Sequence, residues 1–150
     1  MISFGGTKNG LMGAEAVVFL RPALADRALY LRKQATQLAS KMRFVSAQLR
    51  AVLHDDLWID LATHANAMAY RLWEQTKGID GVEHGAPPEV NSLFPLLPLP
   101  AIAPLQQWCF FWEWEAELGQ VRWMTSWDTT DEDVEEYAGG IRHYLASAID

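Results

Sequence analysis

Between Leu24 and Leu53 the sequence contains neither proline nor glycine, and Leu31, Ala35, Leu38, Met42, Val45, Leu49 and Val52 recur at alternating steps of four and three. Such a repeat lays one apolar stripe along a helix. It predicts a single long helix over 24–53. A coiled-coil seam shares this spacing but asks for mixed-sign charges at its flanks. Here Arg21, Arg27, Arg32, Lys33, Lys41, Arg43 and Arg50 stand against Asp26 alone, so the stripe reads as the buried face of a core helix.

The flanking segments are shorter. Ala16-Val17-Val18-Phe19-Leu20 is a β-branched and aromatic run suited to a buried strand over 14–20, ended by Arg21-Pro22. A second helix is expected over 57–76, with Leu61, Ala65, Met68 and Leu72 on one face and Lys77-Gly78 closing it. After Gly85-Ala86-Pro87-Pro88 the pattern turns strand-like over 89–94, 108–114 and 121–127, with a turn around Leu118-Gly119-Gln120. Asp128 to Asp133 then supply a cap and an acidic first turn for a terminal helix whose face is Val134, Tyr137, Ala138, Ile141 and Leu145. The order reads as the end of an α/β layer, residues 1–53 with a bridging helix, followed by a small α+β lobe over 54–150.

Composition narrows the function classes. A chain of 150 residues that is 50% apolar has enough material for a core. A net charge of -7 argues against a general nucleic-acid or anionic-membrane binder, which needs excess Lys and Arg. Leu93 to Leu105 is too short for a membrane span and is broken by four prolines. One cysteine, Cys109, and four scattered histidines offer neither an internal disulfide nor metal-ligand spacing. A cytoplasmic setting with small-molecule or protein partners is expected.

Three places can carry chemistry. Lys8 lies among Gly5, Gly6 and Gly10 and the hydroxyls of Ser3 and Thr7, a loop whose small residues let a backbone approach a phosphate while an amine meets a carbonyl. The bland alternative is a solvated loop lysine. The basic segment 21–53 is either a solvated face beside an acidic partner or an anion-binding surface. Arg122, expected on the buried side of a strand crowded by Trp108, Trp112, Trp123 and Trp127, would need a partner. That partner is a ligand carboxylate, one of Glu113, Glu115 and Glu117, or a tryptophan face.

The stretch Ser3-Phe4-Gly5-Gly6-Thr7-Lys8-Asn9-Gly10, with the strand and basic helix behind it, resembles the cofactor-lysine region of bacterial low-specificity threonine aldolases in the β-eliminating lyase group. Val121-Arg122-Trp123-Met124-Thr125-Ser126-Trp127-Asp128-Thr129-Thr130 is similar to the same family's C-terminal strand. The resemblance implies the C-terminal part of a fold-type-I aminotransferase-like enzyme that cleaves threonine or allo-threonine to glycine and acetaldehyde with pyridoxal phosphate. It implies Lys8 as the catalytic lysine that forms the Schiff base, Thr7, Lys41 and Arg43 as further cofactor contacts, and Arg122 as the substrate-carboxylate anchor. It also implies a homo-oligomer, dimer or tetramer, in the complete enzyme. Some members carry His where Ser126 stands, so no role resting on that imidazole transfers. The rival readings are another β-eliminating lyase and a noncatalytic interaction module.

Overall fold

Ile2 and Phe4 alternate with Ser3 and Gly5, and this period-2 pattern makes Ile2–Gly5 a strand, β1, in the computed structural model, which describes residues 1–148. It pairs antiparallel with β2, Glu15–Val18, in the register Phe4↔Ala16 and Gly5↔Glu15. The small residues of 3–10 predict a loop throughout. Only their second half is loop, because two glycines beside apolar neighbours still make a strand when a partner strand satisfies the ladder. Phe4 and Ala16 form its half-buried face.

The predicted helix over 24–53 is not continuous. It is replaced by a short helix α1, Ala28–Gln34, a non-helical stretch, and α2, Met42–Leu53. Thr36 and Lys41 adopt left-handed backbone, φ 57° and 59°. The cause lies in packing. Leu31 and Leu38 of the stripe remain exposed, and a helix whose stripe meets nothing keeps only its weak intrinsic propensity. In α2 the stripe is realised, with Val52 buried and Met42, Val45 and Leu49 half-buried. A second left-handed step at Asp55 and Asp56 kinks the helical run before α3, Leu57–Thr76, which has the predicted bounds.

The chain divides into two compact units, Met1–Leu61 and Ala62–Asp150. In the second, β3, Ser92–Leu93, β4, Trp112–Glu115, and β5, Gln120–Met124, form an antiparallel sheet in the order β3-β5-β4. The predicted strand over 108–114 begins only at Trp112. Trp108 instead ends a helix, α4, Leu99–Trp108, where the sequence reading saw proline breaks. Pro100 stands in the first turn, whose amide needs no helical partner, and burial of Ala101, Ile102 and Leu105 offsets the bond lost at Pro104. The strands over 89–94 and 121–127 are likewise shortened to β3 and β5.

The terminal helix α5, Asp131–Ala148, starts on a reciprocal cap. The Thr130 hydroxyl accepts the Asp133 amide, while the Asp133 carboxylate accepts the Thr130 amide and hydroxyl. Val134, Ala138, Ile141 and Leu145 face the core as expected, against Leu72 of α3, Leu105 of α4 and Trp123 of β5. Among the described residues no helix is long and apolar enough to cross a membrane.

Trp108 is clasped by α5. Its ring stacks on Tyr137 at 5.6 Å and meets Tyr144 at 5.5 Å, two tyrosines seven residues apart on one helix face. Between them Gly140 lets the indole lie against the backbone, and a Cβ there would overlap the Trp108 ring. Gly139 beside it has open space. Gly139→Ala is therefore expected to stabilise the protein by roughly 0.5–1 kcal/mol through helix propensity, and Gly140→Ala to destabilise it by about 1–3 kcal/mol through overpacking. Urea denaturation of both variants checks this; shifts of the same sign would refute the clasp.

Candidate functional site

Lys8 sits on a single helical turn, Thr7–Asn9, between β1 and β2. The turn is held shut by backbone bonds from Gly6 to Ala14 and from Asn9 and Leu11 to Gly6. Gly6 is buried, and a Cβ on it would run into the Ala14 carbonyl, so only glycine fits. Lys8 is exposed and makes no ion pair among the described residues.

Thr7 is already engaged. Its hydroxyl donates to the Glu15 carboxylate at 2.6 Å and its amide to the same oxygen at 3.1 Å. The Thr7 hydroxyl, followed by the Thr7 amide, holds the Glu15 carboxyl below its ordinary acidity range. Glu15 was not singled out from sequence. Its position opposite Gly5 in the ladder, next to the turn, is visible only once β1 is recognised as a strand.

Lys41 and Arg43 open α2 in the same unit. Lys41 occupies the N-cap position in left-handed backbone, and both residues are exposed. The Arg43 guanidinium lies 5.0 Å from the centre of the neighbouring Phe44 ring. The lysine loop is tied to this helix by the Met12 amide, which donates to Gln48 Oε1 at 2.7 Å. The structure thus brings Thr7 and Lys8 together on one turn, and gathers them with Lys41 and Arg43 in the first unit without joining the two pairs by any hydrogen bond.

Arg122 belongs to the second unit. Because side chains alternate along β5, Val121 and Trp123 enter the core while Arg122 stands on the opposite face. The expectation of a buried-side arginine among four tryptophans is corrected here. Its neighbours are Trp112, directly across in the ladder, and Trp114, whose ring centre is 5.8 Å from the guanidinium. Nη2 donates to Ser92 Oγ at 3.4 Å, and Nε is buried without a partner. Glu113, Glu115 and Glu117 form no ion pair with it.

Arg122 lines a cleft of about 440 Å³ with Phe110, Phe111, Trp112, Trp123 and Tyr137. Burial, followed by the nearby Cys109, pushes the Tyr137 hydroxyl far above its ordinary value. Burial, followed by the charge of Glu136, raises the Cys109 thiol as well. Phe110 and Tyr137 were not anticipated as site residues. Their meeting depends on α4 and α5, and the first of these was missed.

Two comparisons reach the same neighbourhood of proteins, and no family model matches the chain. Over 144 residues, 95% of this chain, it is 43% identical to the low-specificity L-threonine aldolase of Pseudomonas aeruginosa, of which it covers 41%. It is 40% identical over 149 residues to the enzyme of that name from a Pseudomonas species, covering 42% of it. A threonine aldolase structure from Leishmania major matches with a TM-score of 0.73 and 28% identity, over 87% of this chain and 39% of that one. The chain therefore spans about two fifths of the length of these relatives.

The Glu15 contact has a pH signature. A carboxyl whose midpoint is lowered stabilises the turn above its ordinary value of 4.5 and loses the contact as pH falls through its own, lower midpoint. Acidification should deprotect the Thr7 amide in hydrogen exchange, and Glu15→Gln should abolish that pH dependence. A Thr7 amide whose protection ignores both would remove the contact from solution.

Proposed function

This chain is homologous to the C-terminal part of the low-specificity L-threonine aldolases, and on that premise we propose that it supplies the lysine and the substrate arginine of such an enzyme. The complete enzyme has the fold-type-I aminotransferase-like architecture. It cleaves threonine or allo-threonine to glycine and acetaldehyde, with pyridoxal phosphate as cofactor and a homo-oligomeric assembly. The observation that carries this reading is Arg122, a guanidinium with a buried Nε, no carboxylate partner among the described residues and a place on the wall of a ligand-sized cleft.

The residues of the first unit fit the cofactor in part. Lys8 has an accessible amine without a competing ion pair, and it would hold the cofactor covalently. Lys41 and Arg43 are exposed cations suited to a phosphate, offered to a neighbouring subunit. Thr7 fits only after Glu15 has released its amide and hydroxyl. When bound, pyridoxal phosphate supplies the electron sink for breaking the Cα–Cβ bond.

Arg122 positions the substrate. A planar guanidinium grips a carboxylate through two parallel hydrogen bonds and so fixes rotation about the neighbouring bonds. The Trp114 ring lies beside the guanidinium, 5.8 Å from its centre, and adds a cation-π contact that holds the fork in place. Holding the carboxylate in one orientation sets which bond at Cα is aligned for cleavage.

The test replaces the matched segment of the Pseudomonas aeruginosa enzyme with this chain. In that chimera Lys8→Ala should abolish the lysine-linked cofactor absorption. Arg122→Ala should leave the absorption intact and lower kcat/KM by roughly thirtyfold to several thousandfold, corresponding to about 2–5 kcal/mol. Arg122→Lys should also lose turnover, because it keeps the charge without the fork. Unchanged kinetics in a folded Arg122→Ala chimera would remove the carboxylate assignment, and normal absorption in Lys8→Ala would remove Lys8.

A further inference from the structure

The sequence holds three asparagines, Asn9, Asn66 and Asn91, in different surroundings. Asn66 lies inside α3, where the amide that follows it belongs to the helical ladder. The Asn91 side chain donates to the Thr125 carbonyl at 2.8 Å, which holds its carboxamide in place. Asn9 ends the single turn that carries Lys8 and is followed by Gly10. Its side chain takes part in no hydrogen bond among the described residues, while Thr7 and Met12 on either side are engaged.

Gly10 is exposed and turns the chain in left-handed backbone, φ 83°. After the other single turns, Pro22–Leu24, His54–Asp56 and Ala116–Leu118, the next residue donates its amide back into the turn; Gly10 closes no such bond. The bonds to the Gly6 carbonyl come from Asn9 and Leu11, on either side of it. The Gly10 nitrogen therefore stands without an acceptor among the described residues, next to a free carboxamide and with no side chain of its own to shield it. Bringing the carboxamide onto that nitrogen loosens one short turn, whereas at Asn66 the same movement would break the ladder of a 20-residue helix.

We propose that Asn9 is a site of spontaneous deamidation in the folded chain and that the product disables the Lys8 turn. A solvent base takes the Gly10 amide proton, and the nitrogen attacks Asn9 Cγ. The N–Cγ bond forms, the Cγ–Nδ2 bond breaks, and ammonia leaves with a proton returned by solvent, closing a succinimide ring. Water then opens the ring. Cleavage of the new N–Cγ bond gives aspartate; cleavage of the bond from the Asn9 carbonyl carbon to the Gly10 nitrogen gives isoaspartate, whose main chain runs through the former side chain. Nothing is oxidised or reduced. Either product sets a carboxylate beside Lys8, in a turn that already holds the Glu15 carboxylate, and so repels a phosphate. Isoaspartate also lengthens the main chain between the Asn9 and Leu11 amides, which both bond to Gly6. The chemistry is independent of the function proposed above; its consequence for cofactor binding rests on Lys8 as the cofactor lysine.

The test ages the full chain at neutral and at mildly alkaline pH and maps the products by peptide mass spectrometry, with isoaspartate counted by enzymatic methylation of its free carboxyl group. Conversion at Asn9 should outrun that at Asn66 and Asn91 by at least about tenfold, since only Asn9 precedes a glycine. It should accelerate as pH rises, and in the folded chain it should stay within about tenfold of the rate in the guanidinium-unfolded chain, because the turn opens locally. Asn9→Gln should remove the product while the thermal midpoint matches the parent. An Asn9 that reacts in the unfolded chain but stays intact in the folded one would overturn the site, as would a rate indifferent to pH. In the chimera described above, Asn9→Asp should weaken cofactor retention by about tenfold or more, as a like charge beside the phosphate requires. Normal retention there would overturn the consequence for the turn. The absorption of the Lys8→Ala chimera judges Lys8 separately and leaves the mapping result standing.

Discussion

Alternation along β5 governs the second unit. Val121 and Trp123 face inward, and so does Thr125 just past the strand's end. Trp123 meets the rings of Phe111 and Tyr137, and Thr125 donates to the Ala65 carbonyl of α3 at 2.7 Å. Shifting this strand by one residue would bury Arg122 and expose Trp123, at a cost of several kcal/mol, comparable to the stability of a small domain. The position of Arg122 on the aromatic face is thus a consequence of core packing. Ladder bonds on both sides of β5, to β3 and to β4, hold that register.

How much of this was legible in the sequence depended on whether a signal was local. A cap within 128–133, the apolar face of α5 and the bounds of α3 come from signals within one segment, and they hold in the structure; that Thr130 and Asp133 form the cap is seen only there. The break at 35–41 could not be seen because nothing in Thr36 to Ser40 forbids a helix; what is lacking is a surface for Leu31 and Leu38 to pack on. In α4 the opposite happened. Proline density suggested a break, but Pro100 falls where a helix tolerates it and the intervening apolar residues are buried.

The candidate residues show the same division. Lys8 stood out because glycines and hydroxyls crowd around it in sequence and because that stretch resembles a cofactor-lysine region. Glu15 was invisible as its neighbour, since that pairing arises from strand register. For Arg122 the residue was identified but its surroundings were assigned to the wrong face, although the period-2 rule applied to Trp123 would have separated them. Phe110 and Tyr137 reach the same cleft through two helices and could not be joined by inspection of the chain.

The contact between Glu15 and Thr7 bears on any anion that binds at the Lys8 turn. With the carboxylate in place, the amide and hydroxyl of Thr7 have no free hydrogen to offer, and the carboxylate repels a second negative charge. For Thr7 to take part in binding an anion the turn must first open, and only that open form is competent. Apparent affinity for a phosphate is the intrinsic affinity multiplied by the open fraction. Protonating Glu15, or drawing its carboxylate towards another donor, enlarges that fraction and tightens binding without altering a single residue that touches the phosphate.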